Sequence, residues 1–246
     1  MCKSEEAQGF MKPAEIIKPP LFGTPADGYR MLFNYGNEVI VTNRLPVDVV
    51  FIGDSITQNW EVQGYFRRFG YIVNRGVGGD VAEVLAQRLA ADVLQLKPRA
   101  CVMLIGINNI AAWDKQPESI EEQVFGRYVQ MLEELRQASI VPVMCSVLPV
   151  FGGNQAVAQA YNDQVLRLNR RLYALCVDTG VRYVDYHSQM TAEDGRTLRA
   201  DLSWDGVHPH VLGYNRMANA LAPVLEELLK PTSVANVVRK EGSNDG

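Results

Sequence analysis

Val47-Asp48-Val49-Val50-Phe51-Ile52-Gly53-Asp54-Ser55-Ile56-Thr57 is a β-branched and aromatic run that stops at a glycine and an acid. Such a run reads as a strand buried on both faces, and Gly53 with Asp54 supplies the turn that ends it. Pro46 punctuates its entry. In an open sheet covered by helices, ligands gather outside the carboxyl ends of the strands, which is where this turn sets Ser55. Asp and Ser are also what a turn or a helix N-cap requires, so the stretch defines a strand before it defines a chemistry.

Working outward, residues 1–25 carry Pro13, Pro19, Pro20 and Pro25 with little periodicity, which predicts an extended strap over one domain spanning 26–230. A short helix over about Asp27–Tyr35 is predicted to turn Met31, Leu32 and Tyr35 inward. After the Ser55 strand, Asn59–Phe69 reads as a helix with Trp60, Tyr65, Phe66 and Phe69 as its packing face. Further strands are predicted at Tyr71–Arg75, Cys101–Ile105, Ile140–Val147 and Val181–Asp185. Helices over Val81–Leu96, Ser119–Ala138, Gln159–Asp178 and Leu212–Leu229 alternate with them. That alternation predicts a parallel sheet with right-handed crossovers, a three-layer α/β/α sandwich of five strands. The polar residues 231–246 read as a disordered tail.

The chain has 246 residues, 47% of them hydrophobic and 21% charged, the composition of one soluble globular domain. A net charge of -4 offers no basic footprint, so no nucleic-acid partner is expected. Cys101, Cys145 and Cys176 lie in apolar segments and read as small buried hydrophobes; no Cys-x-x-Cys pair exists. No metal or cofactor is expected, and no apolar run is long enough to span a bilayer. Cys2 before the polar Lys3–Glu6 is similar to the start of a mature bacterial lipoprotein, and is equally an ordinary cysteine in a frayed terminus. The two readings place the protein in the cell envelope or the cytoplasm.

Three loops at strand ends carry the chemistry. Gly76-Val77-Gly78-Gly79 precedes a helix, where glycine lets the backbone approach a ligand and free N–H groups face a negative oxygen. A dinucleotide-binding fingerprint is the rival reading, but its third glycine would fall on Val81. Gly106-Ile107-Asn108-Asn109 places an amide donor at another strand end. In Asp205-Gly206-Val207-His208 the acid and the histidine are three apart, so one turn would bring the carboxylate to Nδ1 and leave Nε2 for Ser55. His210 lacks such an acid, since position 207 is Val207, and reads as a neighbour of the site. His187 reads as a loop or structural histidine with its hydrogen bonds met.

In order and spacing, Gly53-Asp54-Ser55-Ile56, Gly78-Gly79-Asp80, Gly106-Ile107-Asn108-Asn109 and Asp205-Gly206-Val207-His208-Pro209 resemble the four signature blocks of the SGNH (GDSL-type) hydrolases, from about Val47 to Leu229. The resemblance implies a flavodoxin-like sheet, Ser55 as nucleophile, His208 as base and Asp205 as its partner. It further implies an oxyanion hole from the N–H groups of Ser55 and Gly79 and the amide of Asn108. Many members carry Asp where Asn109 stands; the platelet-activating-factor acetylhydrolase-like branch, closest in these motifs, carries Asn-Asn. The expected activity is hydrolysis of short acyl esters, a carbohydrate O-acetyl group foremost. Lysophospholipid or acetyl-lipid hydrolysis, thioester cleavage and a non-catalytic carbohydrate-binding module are the alternatives, and the complete catalytic set argues against the last. Asp54, Asn109 and Trp204 stand as candidate substrate contacts; Trp204 would stack on a sugar, line an acyl pocket or belong to the core.

Overall fold

The computed structural model describes residues 13–112 and 120–230. Strands β1 (Val49–Gly53), β2 (Ile72–Gly76), β3 (Ala100–Leu104), β4 (Val141–Cys145) and β5 (Arg182–Val184) pair in parallel in the order β2-β1-β3-β4-β5. The chain moves outward from β1 to β2 and returns past β1 to β3. The switch point, and with it the crevice for a ligand, therefore falls between the carboxyl ends of β1 and β3. Every residue of β1 and β3 is buried, which is why both read as unbroken apolar runs.

Helices α4 (Ala82–Asp92), α6 (Ile120–Gln137) and α7 (Gln155–Thr179) pack side by side on one face of the sheet. α9 (Val211–Leu229) covers the other, together with α3 (Val62–Phe66) and the 3-10 turn Arg67–Phe69. This is the expected three-layer sandwich. α6 buries Val124, Tyr128, Met131, Leu132 and Leu135 at the spacing its sequence predicts. The Tyr128 hydroxyl accepts from the Ile105 N–H and donates to its carbonyl, satisfying backbone just past the end of β3. On α7, Asn169 and Asn162 each pair an amide with both main-chain groups of one residue, Val147 and Val150, and so hold the loop after β4.

Two expectations are corrected. The first helix, α1, runs Asp27–Asn43, and it turns Met31, Leu32 and Tyr35 outward, burying Asp27, Arg30, Asn37 and Ile40 instead. Its inward face meets a set of buried charges, so polar residues are required there. The aromatic stretch 59–69 is not one helix: α2 (Ser55–Gln58) ends before it, and α3 and the 3-10 turn divide it. Trp60 leads into α3 at the centre of a ring cluster, stacked on Tyr214 and edge-on to Phe51, Phe66 and Tyr186, and packing of that cluster overrides a continuous helix.

Two short helices, α5 (Ile107–Ala111) and α8 (Tyr186–Met190), were not predicted; each follows directly on a strand end. Cys101, Cys145 and Cys176 are buried and free. Residues 13–22 of the strap form no helix or strand, and Ile17 exchanges two hydrogen bonds with the Gln95 side chain. Cys2 and the tail 231–246 lie outside the described residues. No helix among the described residues is long and apolar enough to cross a membrane.

Candidate active site

β1 delivers its last residue, Gly53, into a space with no room for a side chain: a Cβ there would lie 2.4 Å from the Leu104 carbonyl and 2.2 Å from Thr57 Oγ1. The chain can therefore turn sharply, and Asp54 caps α2 by accepting from the Ile56 N–H at 2.9 Å. Ser55 is the first residue of that helix, half-buried at its mouth. Its hydroxyl lies 2.8 Å from His208 Nε2, and His208 Nδ1 lies 2.6 Å from Asp205 Oδ2. An imidazole held so by a carboxylate takes the proton of a hydroxyl as that hydroxyl attacks.

The loop bearing Asp205 and His208 is built locally. Asp205 Oδ1 accepts from the Val207 and His208 N–H groups and from Ser203 Oγ, while Ser203 Oγ accepts from the Gly206 N–H. Ser203 and Pro209 close the loop as an antiparallel bridge. Burial works to raise the Asp205 carboxyl, but its bonds from the His208 side chain and from two main-chain N–H groups hold it well below the usual carboxylate range. Asp205 is thus ionised wherever His208 needs a counter-charge.

The glycine loop lies against the same serine. A Cβ on Gly76 would overlap Gln58 N, and one on Gly78 would lie 3.7 Å from Ser55 Cβ. The Gly78 N–H donates to Gln58 Oε1, and Gly79 follows, exposed, at φ +80. From the end of β3, Asn108 Nδ2 donates to the Asp80 carbonyl at 2.9 Å. Beneath them Arg88 is fully buried; it donates to the carbonyls of Gly53 and Arg75 and to the carboxylates of Asp80 and Asp92. One guanidinium thereby ties the serine turn, the end of β2 and the glycine loop together.

Three expectations change. Asp54 is 1% exposed and occupied as a cap, so it has that role in place of substrate contact; burial pushes its carboxyl up to about 7, against the pull of the Ile56 N–H and of His208. Asn109 is buried as well: Oδ1 accepts from the Ala82 N–H and Nδ2 donates to Glu83, an arrangement that caps α4. His187 is not a satisfied histidine, because its buried Nε2 has no hydrogen-bond partner. Trp204, by contrast, is no core residue: it is 85% exposed beside Asp205, its ring tilted against His210 with centroids 4.6 Å apart.

Sequence reading missed Ser203, Gln58 and Arg88, none of which carries a motif, and the brace from the loop after β4, where the Phe151 N–H donates to the Gly206 carbonyl at 2.9 Å.

A sequence model of the GDSL-like lipase/acylhydrolase family matches residues 51–216, more than half of the chain. The chain belongs to this GDSL-like family. An acetylxylan esterase of Geobacillus stearothermophilus is 26% identical, the alignment covering 70% of this chain and 90% of that protein. An uncharacterized lipoprotein of Bacillus subtilis, YqeF, is also 26% identical, over 56% of this chain and 72% of its own. The crystal structure of a GDSL-like lipase from Bacteroides thetaiotaomicron superposes with a TM-score of 0.72 at 25% identity, covering 83% of this chain and all of that one. The structure of the Geobacillus acetylxylan esterase, at 20% identity and a TM-score of 0.60, covers 73% of this chain and 94% of its own and shares the fold. This GDSL-like protein is a hydrolase of acyl esters.

Proposed function

We propose that this GDSL-like acylhydrolase is a serine esterase that removes short acyl groups, acetyl foremost, from carbohydrate O-esters through an acyl-enzyme. The observation that carries the proposal is the unbroken relay Asp205 Oδ2, His208 Nδ1, His208 Nε2, Ser55 Oγ at 2.6 and 2.8 Å.

In this reading Ser55 Oγ attacks the ester carbonyl while its proton passes to His208 Nε2, and Asp205 stabilises the imidazolium. The N–H groups of Ser55 and Gly79 and the second N–H of Asn108 Nδ2 receive the oxyanion. Collapse of the tetrahedral intermediate breaks the bond to the alcohol, which leaves with the proton from His208. Water then attacks the acyl-enzyme as it gives up a proton to His208, and collapse of the second tetrahedral intermediate breaks the bond to Ser55 Oγ, which takes that proton back from His208 as the acid leaves.

Support for a sugar ester comes from Trp204, an exposed indole one residue from Asp205 and able to stack on a pyranose face, and from the acetylxylan esterase relative. A second reading, an acetyl-lipid or lysophospholipid hydrolase, is favoured by α1, whose outward face presents Leu32, Tyr35 and Val39 to solvent.

The test is hydrolysis of p-nitrophenyl esters from acetate to octanoate by wild type and Ser55→Ala, followed by assays on an acetylated xylo-oligosaccharide and on lysophospholipid vesicles. Activity that peaks at acetate, extends to the sugar and vanishes in Ser55→Ala supports the proposal. Turnover confined to long chains or vesicles moves the second reading to the front.

A further inference from the structure

The inward face of α1 carries Arg30, 2% exposed, and a buried guanidinium is costly unless carboxylates surround it. Arg30 has two. Nη1 donates to Asp27 Oδ1 at 2.7 Å and Nη2 to Asp80 Oδ1, while the guanidinium lies 4.9 Å from the centre of the Phe22 ring. Asp27 is itself fixed, accepting from the N–H groups of Phe22, Gly23 and Thr24. The other oxygen of Asp80 takes Arg88 Nε at 2.7 Å. One carboxylate is therefore gripped from both sides, by α1 and by α4.

Asp80 is the residue after Gly79, and its carbonyl accepts the Asn108 amide at 2.9 Å. A continuous path of polar contacts thus runs from the turn 22–24 through Asp27, Arg30 and Asp80 to Asn108. Arg88 cannot hold Asp80 equally well alone, since its guanidinium is shared with Asp92 and with the carbonyls of Gly53 and Arg75. α1 lies outside the matched family span of 51–216, yet it reaches the loop beside the nucleophile.

We infer that Arg30 is a positioning residue for ester hydrolysis: by clamping Asp80 it holds the Gly78–Asp80 loop and the Asn108 amide where the oxyanion forms. The inference rests on the proposed roles of Ser55, Gly79 and Asn108. Donors misplaced by a fraction of an ångström bind the ground state as before and lose grip on the transition state, so the loss belongs in kcat.

The experiment measures kcat and KM on p-nitrophenyl acetate for the full chain as wild type, Arg30→Ala, Arg30→Lys and Asn108→Ala, and with each Arg30 change in the Asn108→Ala background. Arg30→Ala is expected to lower kcat by about tenfold to a hundredfold with KM within about twofold, and Arg30→Lys to recover part of it. With Asn108 truncated, the same change should cost severalfold less than it does in wild type, because one of the two donors it serves is gone and only the Gly79 N–H is left to misplace. A kcat equal to wild type, or an equal loss in both backgrounds, overturns the inference. If circular dichroism shows Arg30→Ala unfolded, Arg30→Lys, which keeps the charge, is judged by the same two criteria. Absence of turnover in wild type, or full activity in Asn108→Ala, would instead sink the reading of the site, and the inference with it.

Discussion

Asn108 and Asp80 are joined by a 2.9 Å hydrogen bond from Nδ2 to the main-chain carbonyl, so one N–H of the amide is committed within the protein and its rotamer is set. The other N–H is the one an oxyanion would receive. Asn108→Ala is expected to lower kcat by about 10²–10³ with little change in thermal stability. Asn108→Asp should be worse, since it removes the donor and turns a carboxylate toward the Asp80 carbonyl. Steady-state kinetics on p-nitrophenyl acetate decide the point; a kcat within threefold of wild type would remove Asn108 from the oxyanion hole.

Asp205 orients the imidazole through Oδ2 and shapes its own loop through Oδ1. An asparagine can keep the second role by accepting from the same N–H groups, but it cannot carry the charge that favours the imidazolium. Asp205→Asn is therefore expected to stay folded and to lose about 10³–10⁴ in kcat. The rate of fluorophosphonate labelling at Ser55 should fall alongside it, and labelling at the wild-type rate would contradict the relay.

Ser55, Asp205 and His208 were legible because their placement depends on short-range chemistry. A strand that stops at Gly53 and an acid three residues before a histidine each define a local shape, and the sheet order brings those shapes together. The face of α1 was not legible. Apolar periodicity selected Met31, Leu32 and Tyr35, whereas the buried face pairs Asp27 with Arg30 and Arg30 with Asp80; a rule that counts apolar residues cannot see charges that neutralise one another across fifty residues. Asp54 and Asn109 were misplaced for a related reason. Caps and substrate contacts draw on the same polar side chains, and only burial separates them.

Gly206 sits at φ +85 between Asp205 and Val207, and a Cβ there would lie 2.0 Å from the Phe151 carbonyl. Backbone cannot yield as a side-chain tip does, so the loop itself must shift. Gly206→Ala is expected to cost about 1–3 kcal/mol of stability and, by moving His208 away from Ser55, to reduce kcat at least tenfold. Urea titration and esterase kinetics on one preparation test both halves. A stable variant of normal activity would show that the brace from Phe151 is dispensable.

Trp204 makes so little contact with the protein that its loss should leave folding untouched. Trp204→Ala is expected to change stability by less than about 0.5 kcal/mol. If the indole is a platform for the alcohol portion of the substrate, KM for an acetylated oligosaccharide should rise about tenfold, while p-nitrophenyl acetate, which has no sugar to stack, should be hydrolysed nearly as before. Equal effects on both substrates would point to the acyl pocket or the His208 loop in place of a sugar site.

Asp54 is an acid kept in a place that disfavours its charge. Burial raises its carboxyl from 3.8 to about 7, and a raised acid stabilises the fold while it holds its proton. Below about pH 4 folded and unfolded chains both hold that proton; between there and pH 7 only the folded chain does, and the advantage of the unfolded chain's ionisation grows across that window to about 4 kcal/mol. Asp54→Asn keeps an oxygen for the Ile56 N–H and has no proton to lose. The variant should therefore match or trail wild type at pH 4 and exceed it in unfolding free energy at pH 8, by an amount that grows through the window. Chemical unfolding at both pH values is the measurement, and curves that stay parallel would show that Asp54 does not titrate in this range. A gain at pH 8 would mean that the native acid is held at a cost to stability, and the kcat of the same variant would then show what that cost supports.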